Sequence, residues 1–123
     1  MPDRSGTDRF IRSAFRSIWS LELLLALRER PDHDWSRQEL ITALRASDQV
    51  ISQSLADLLA AGLVVTDDQQ GVRYAPASRD LDESVAMVAE LYSIRPAAVR
   101  RTIVRGADDT VASFADAFRF RKE

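Results

Sequence analysis

Residues 35–76, WSRQELITALRASDQVISQSLADLLAAGLVVTDDQQGVRYAP, decide the fold of this 123-residue chain. Ser36 is followed three residues later by Glu39, which is the pattern of a capping box and predicts the start of a helix. Ser47 caps a second helix after a short turn, and Gly62 stands where a helix needs a left-handed residue to end. Two helices joined by so short a turn must cross steeply to share a core, so the stretch predicts a helix-turn-helix.

Both helices carry apolar residues at helical spacing, which predicts one buried face on each. The expected buried positions are Leu40, Ile41 and Leu44 in the first helix, and Ile51, Leu55, Leu58 and Leu59 in the second.

A β-hairpin is predicted directly after the second helix. Residues 63–65 and 72–75 are short apolar runs, and the turn-forming segment between them ends in Gly71. An isolated hairpin is only marginally stable in water, so we expect it to pack against the second helix. Trp35 has two interpretations: a hydrophobic staple beside the cap of Ser36, or a one-residue strand against the hairpin.

The residues before this stretch predict a tail and one long helix. Residues 1–8 show no apolar periodicity and are expected to be mobile. From about Thr7 to Pro31 the chain has helical spacing. The apolar positions are Phe10, Ile11, Phe15, Ile18, Trp19, Leu23 and Leu27. Arg9, Arg12 and Arg16 share the opposite face, which we interpret as solvated in preference to a phosphate-contacting stripe.

The residues after the hairpin also predict helices. One has Asp80 as its cap and ends at Pro96, which suits the first turn of the next helix, and Gly106 ends that one. The apolar positions are Leu81, Val85, Val88 and Tyr92, then Val99, Ile103 and Val104, and in a last helix Val111, Phe114, Ala115 and Phe118. The aromatic and aliphatic stripe of these helices either completes the core of one subunit or buries against a partner's first helix in a twofold dimer. Its residues are Tyr92, Ile103, Phe114, Phe118 and Phe120.

Composition is that of a single globular domain, with 46% hydrophobic and 29% charged residues. The longest apolar run, Leu23 to Leu27, is far too short to span a membrane, and the N-terminus has no apolar core of the signal-peptide kind. The absence of cysteine excludes disulfides and thiolate metal sites, so we expect a cytoplasmic protein.

No catalytic pattern is found in the sequence. His33 is the single histidine, and its neighbours in Pro-Asp-His-Asp do not form a convergent metal site, so we interpret it as a solvated loop residue. There is no Gly-rich phosphate loop and no spacing typical of a catalytic triad. We therefore expect neither enzymatic activity nor a cofactor nor a bound metal.

The segments SRQEL, SDQVISQSLADLLAAGLV and VVTDDQQGVRYAP are similar to the winged-helix domain of bacterial transcriptional regulators of the MarR and ArsR type. The ending Leu55-Ala-Asp-Leu58-Leu-Ala-Ala-Gly62-Leu-Val64 carries much of the resemblance, which covers about a third of the chain. It implies a mainly α fold with a small two- or three-stranded β-wing, a long N-terminal helix and a C-terminal helical extension. The expected organisation is a tail at 1–8, a winged helix-turn-helix at 9–78 and an extension at 79–123 that packs or dimerises.

The resemblance also implies duplex DNA as a partner, because the exposed N-terminal half of the second helix enters the major groove in that family. The helical wheel agrees, since Gln49 and Gln53 lie opposite the apolar face, and a Gln amide can bond adenine N6 and N7 together. The expected DNA-binding residues are Arg37, Arg45, Ser47, Gln49, Val50, Ser52, Gln53 and Arg73.

Charge argues against the simplest DNA binder. The chain has a net charge of −2, residues 31–62 carry five acids against two arginines, and the wing opens with Asp67 and Asp68. Phosphate neutralisation supplies most non-specific affinity for DNA. Two hypotheses follow: a sequence-specific, homodimeric DNA-binding transcriptional regulator, or a winged-helix module that binds protein instead, with the C-terminal helices as a further protein-binding surface.

Overall fold

The computed structural model describes residues 4–67 and 71–105, and every structural statement below refers to them. The chain is mainly α-helical with a two-stranded antiparallel hairpin after the fourth helix, an arrangement consistent with a winged helix. The elements are α1 (Arg4–Ala14), α2 (Ile18–Glu29), α3 (Arg37–Leu44), α4 (Asp48–Ala60), β1 (Val64–Thr66), β2 (Val72–Tyr74), α5 (Arg79–Ile94) and α6 (residues 96–105).

The predicted long N-terminal helix is wrong, because the chain forms two helices there. Ser17 breaks it: the Ser17 Oγ accepts from the Ser20 backbone N–H at 3.2 Å, and the Ser20 Oγ accepts from the Ser17 N–H at 3.3 Å. The third helical residue of a capping box is usually Glu or Gln, but here it is Ser20. Because the apolar spacing also continues past Ser17, the sequence did not predict a helix start there. Helix α1 begins at Arg4, so residues 4–8, which we expected in a mobile tail, are helical.

The predicted helix-turn-helix caps are confirmed. The Ser36 Oγ accepts from the Glu39 N–H at 3.1 Å, and a Glu39 carboxylate oxygen accepts from the Ser36 N–H at 2.9 Å. The Ser47 Oγ accepts from the Val50 N–H at 3.2 Å and so begins α4. These local hydrogen bonds satisfy backbone donors that the first helical turn leaves unpaired.

Helix α4 packs mainly on α2 and also contacts α3 and β1. Ile51, Leu55 and Leu58 are buried as predicted, but Leu59 is 43% exposed because it lies at the edge of that face. Trp19, expected in the N-terminal apolar stripe, is 42% exposed. Like Leu59, it lies at the edge of the buried face of its helix, here α2. The apolar surface buried between α2 and α4 forms the centre of the core.

Gly62 ends α4 in the left-handed conformation that the sequence predicts, with φ at +74°. The Leu63 N–H donates to the Leu58 carbonyl and the Gly62 N–H to the Leu59 carbonyl, each at 3.1 Å. This pair of bonds is a Schellman motif, which pairs two of the last helical carbonyls and turns the chain toward β1.

The hairpin pairs Val64 with Tyr74 and Thr66 with Val72 in antiparallel register. Trp35 adds a third strand of one residue, because its N–H and carbonyl both bond to Val72 at 2.8 Å. The strand interpretation of Trp35 is therefore confirmed, and it ties the segment before α3 to the hairpin.

The C-terminal helices differ from the prediction in two details. The cap of α5 is Ser78 instead of Asp80, since the Ser78 Oγ accepts from the Leu81 N–H at 3.2 Å and Asp80 lies in the first turn. Helix α6 begins at Pro96 as predicted, but Val104 is 50% exposed. The predictions for Gly106, Val111, Phe114, Ala115, Phe118 and Phe120 lie outside the described residues.

A hydrogen-bonded chain joins the C-terminal helices to α2. The Tyr92 hydroxyl donates to Glu22 Oε1 at 2.5 Å and accepts from Arg100 at 3.2 Å. Burial, followed by the hydrogen bond to Glu22, raises the pKa of Tyr92. These contacts fix α5 and α6 against α2. Among the described residues, no helix combines the length and the apolar character that crossing a bilayer requires.

We predict that Gly62→Ala lowers the free energy of unfolding by about 1 kcal/mol, because alanine is strained at positive φ. The matched control is Gly6→Ala inside α1, where alanine is a better helix former and stability should stay unchanged or rise. Urea unfolding followed by circular dichroism measures both. Equal effects of the two substitutions would contradict the role of Gly62.

Candidate nucleic-acid interface

One face of α4 is polar and open to solvent. Because Ile51, Leu55 and Leu58 point into the core, Gln49 and Gln53 lie on the exposed side of the helix. Ser47 is exposed at its N-terminus, and Val50 and Ser52 are partly exposed beside the glutamines. Five of the eight predicted DNA-binding residues therefore lie together along the first two turns of one helix.

Arg37, predicted to contact phosphate, is paired with an acid of the same surface. Its Nε donates to Asp48 Oδ1 at 2.5 Å, which links the start of α3 to the start of α4. Asp48 is also favoured there by the positive end of the α4 dipole. The pair is exposed, with side-chain accessibilities of 38% and 67%, and exposed pairs contribute only about 0–1 kcal/mol. A phosphate can therefore replace the carboxylate at modest cost.

Arg45 occupies the turn between α3 and α4 in the left-handed conformation, with φ 53° and ψ 40°. It is the only non-glycine residue with positive φ among the described residues. Its N–H donates to the Ile41 carbonyl, so the conformation ends α3 and allows Ser47 to cap α4. Its side chain is exposed and, within residues 4–67 and 71–105, has no carboxylate partner. Arg45 is thus a free cation held beside the polar face.

The hairpin contributes Arg73, whose side chain is exposed on β2 and whose Nη1 lies 3.8 Å from Asp34 Oδ1. Asp67, which the sequence analysis counted against phosphate binding, closes the hairpin loop. Its Oδ1 accepts from the Gly71 N–H at 2.7 Å, and its own N–H donates to the Gly71 carbonyl at 3.0 Å. This acid therefore has a structural role. Asp68 lies outside the described residues.

The acids of residues 31–62 are largely engaged with neighbouring groups. Asp34 and Asp48 pair with Arg73 and Arg37, and Asp57 accepts from the Ser20 hydroxyl at 3.4 Å. Glu39 completes a cap, and the Ser36 N–H, followed by His33, lowers its pKa. Arg37 is already included in the count over residues 31–62, and uncharged donors leave Asp57 and Glu39 ionised, so only Arg73 adds positive charge to that count. The two ion pairs also engage two of the three predicted arginines.

His33 contacts the residues that cap α3. Its Nε2 lies 3.0 Å from Glu39 Oε2, and its ring stacks edge-on against Trp35 with a centroid distance of 4.9 Å. Across the described part of the chain, no three His, Asp or Glu side chains converge as metal ligands.

Sequence reasoning placed the polar face of α4 correctly but missed the ion pairs that cross it. Arg37 and Asp48 are 11 positions apart, and Arg73 and Asp34 come from different elements. No local spacing rule predicts such contacts, because they depend on how α3, α4 and the hairpin meet.

Comparisons with the models of known protein families, with curated proteins and with solved structures found no match to this chain.

We predict that Arg45→Gly raises the free energy of unfolding by up to about 1 kcal/mol, since glycine adopts positive φ without strain. Arg45→Ala is the matched control: it removes the same charge but keeps a Cβ, so it should bring no gain. Thermal and urea unfolding of both variants measure the difference. A loss of stability in Arg45→Gly would show that the side chain, and not the backbone, dictates this turn.

Proposed function

We propose that this protein is a winged-helix transcriptional regulator that binds duplex DNA as a homodimer, with α4 in the major groove and the hairpin beside the backbone. The observation that carries the proposal is the exposed polar face of α4, which starts at a capped N-terminus next to Arg45. A helix presented in this way fits the width of the major groove.

The side chains on this face have the chemistry for base recognition. Gln49 and Gln53 are one helical turn apart, and each amide can bond adenine N6 and N7 together. Val50 offers an apolar contact for a thymine methyl group. Ser47, at the amide-rich end of α4, lies where a phosphate would be favoured by the helix dipole.

The three predicted contact arginines support a moderate affinity for DNA without strong electrostatic steering of the association rate. Arg45 is available as it stands, and Arg37 and Arg73 become available when phosphates replace Asp48 and Asp34. A twofold dimer doubles the number of these contacts.

A dimer is supported by apolar surface on the C-terminal helices. Met87 and Ile94 on α5 are 37% and 67% exposed, and Val104 on α6 is 50% exposed. Met87 and Ile94 are seven positions apart, so they share one face of α5, and a partner helix could cover that face.

We predict that the double variant Gln49→Ala/Gln53→Ala loses sequence preference and keeps its fold, because each bidentate contact contributes about 1–3 kcal/mol of discrimination. Duplexes selected from a random library by the wild-type protein supply the preferred sequence, and competition against scrambled duplex measures the preference. Gln38→Ala on the exposed surface of α3 is the matched control and should keep it. An unchanged preference in the double variant would show that Gln49 and Gln53 of α4 do not recognise the DNA sequence.

A protein-binding adaptor is the second candidate, and the ion pairs favour it. With Arg37 and Arg73 neutralised, Arg45 is the one unpaired cation among the predicted contact residues. A near-neutral polar helix suits a protein surface as well as a groove.

Salt dependence separates the two candidates. We predict that the logarithm of the association constant for random duplex falls linearly with the logarithm of the salt concentration, with a slope of about −0.9 for each phosphate contacted. Arg45→Ala should make this slope shallower. Fluorescence anisotropy with a labelled duplex at several salt concentrations measures this. No binding at the lowest salt concentration would favour the adaptor.

A further inference from the structure

A second charged surface lies away from α4, where α1 meets α5 and α6. Two cavities there share Asp8 as a common wall. One, of about 320 Å³, is lined by Asp8, Leu91, Ala98, Arg101, Thr102 and Arg105. The other, of about 470 Å³, is lined by Asp8, Arg9, Arg12 and Ser13. We refer to the two together as the arginine cleft.

The arginines of this cleft come from the two ends of the described chain. Arg9 and Arg12 are three positions apart in α1, and Arg101 and Arg105 are four apart in α6, so each pair shares one helix face. The two pairs line neighbouring cavities, and Asp8 is the residue that both cavities share. Sequence spacing alone gave no sign of this arrangement.

The cleft is strongly unbalanced in charge. Among residues 4–67 and 71–105, Asp8 is the only acid in its walls, against four guanidinium groups. Within residues 4–67 and 71–105, none of these four arginines lies within 4.0 Å of a carboxylate oxygen. Like charges held close together repel, and a bound anion is the natural counter-charge.

The walls also define the kind of anion. Guanidinium groups form paired hydrogen bonds with phosphate oxygens, which makes arginine well suited to phosphate recognition. Leu91 and Ala98 add apolar surface beside the arginines, and the cavity volume is that of a small-molecule site. A phosphate alone would leave that apolar surface unused.

We propose that the arginine cleft binds a small organic phosphate, with the phosphate held by Arg101 and Arg105 and the organic part against Leu91 and Ala98. The site is separate from the proposed DNA-reading face, because α4 packs on α2, α3 and β1 whereas the cleft is built by α1, α5 and α6. Binding there does not depend on whether the protein binds DNA.

The test is isothermal titration of the full chain with phenyl phosphate, and with inorganic phosphate, at matched ionic strength. We expect one saturable site per chain that prefers phenyl phosphate. Arg101→Gln and Arg105→Gln should each weaken binding about tenfold or more, the effect of losing a charged hydrogen bond. Arg79→Gln, which removes an exposed arginine outside the cleft, is the matched control and should leave affinity unchanged.

Arg101→Lys keeps the positive charge but loses the guanidinium fork, and it should also weaken binding, which keeps the test valid if the glutamine variants fold poorly. Equal weakening in Arg79→Gln, or no saturable binding of either probe, would overturn the proposal. Displacement of phenyl phosphate by random duplex would also overturn it, because the cleft would then belong to a nucleic-acid surface.

Discussion

The packing of α4 on α2 is the constraint from which the rest of this structure follows. Ile51, Leu55 and Leu58 are at most 8% exposed, so α4 cannot rotate about its axis without losing that burial. Full burial of one such side chain contributes about 1.5–3 kcal/mol. The hydrogen bond from Ser20 to Asp57 joins the same two helices. The outward direction of Gln49 and Gln53 is therefore a consequence of the core.

Both ends of α4 are fixed by local geometry as well as by the core. Ser47 caps its start after the left-handed Arg45, and the Schellman motif at Gly62 ends it. The Gly62 carbonyl also accepts from the Ala77 N–H at 2.8 Å, which holds the segment after β2 near the end of α4. The polar face, the turn before it and the hairpin after it thus form one connected unit.

The features that were predicted from the sequence are those that depend on neighbouring residues. The capping box of Ser36, the cap at Ser47 and the left-handed Gly62 each depend on a few adjacent positions, and apolar periodicity predicted the buried face of α4. The break at Ser17 was missed because Ser20 replaces the usual acidic partner. The pairing of Arg37 with Asp48 and the position of Asp8 beside Arg101 could not be predicted, since both depend on tertiary contacts.

The charge of the interface is also a tertiary property. Counted along the chain, residues 31–62 are acidic, yet Asp34, Glu39 and Asp48 are held by an arginine, a cap and an arginine respectively. In the part of the chain that the structure describes, the polar face of α4 has Arg45 beside it as the one predicted contact arginine without a carboxylate partner. A surface of this kind takes its specificity from the directional bonds of amides and hydroxyls more than from charge.

The central claim is that α4 contacts DNA, and amide chemical-shift mapping of the isotope-labelled protein with random duplex at low salt tests it most directly. The account predicts shift changes concentrated in residues 45–53 and around Arg73, with the amides of α1 and α6 unaffected. Shift changes confined to α1 and α6, or none at any duplex concentration, would contradict it.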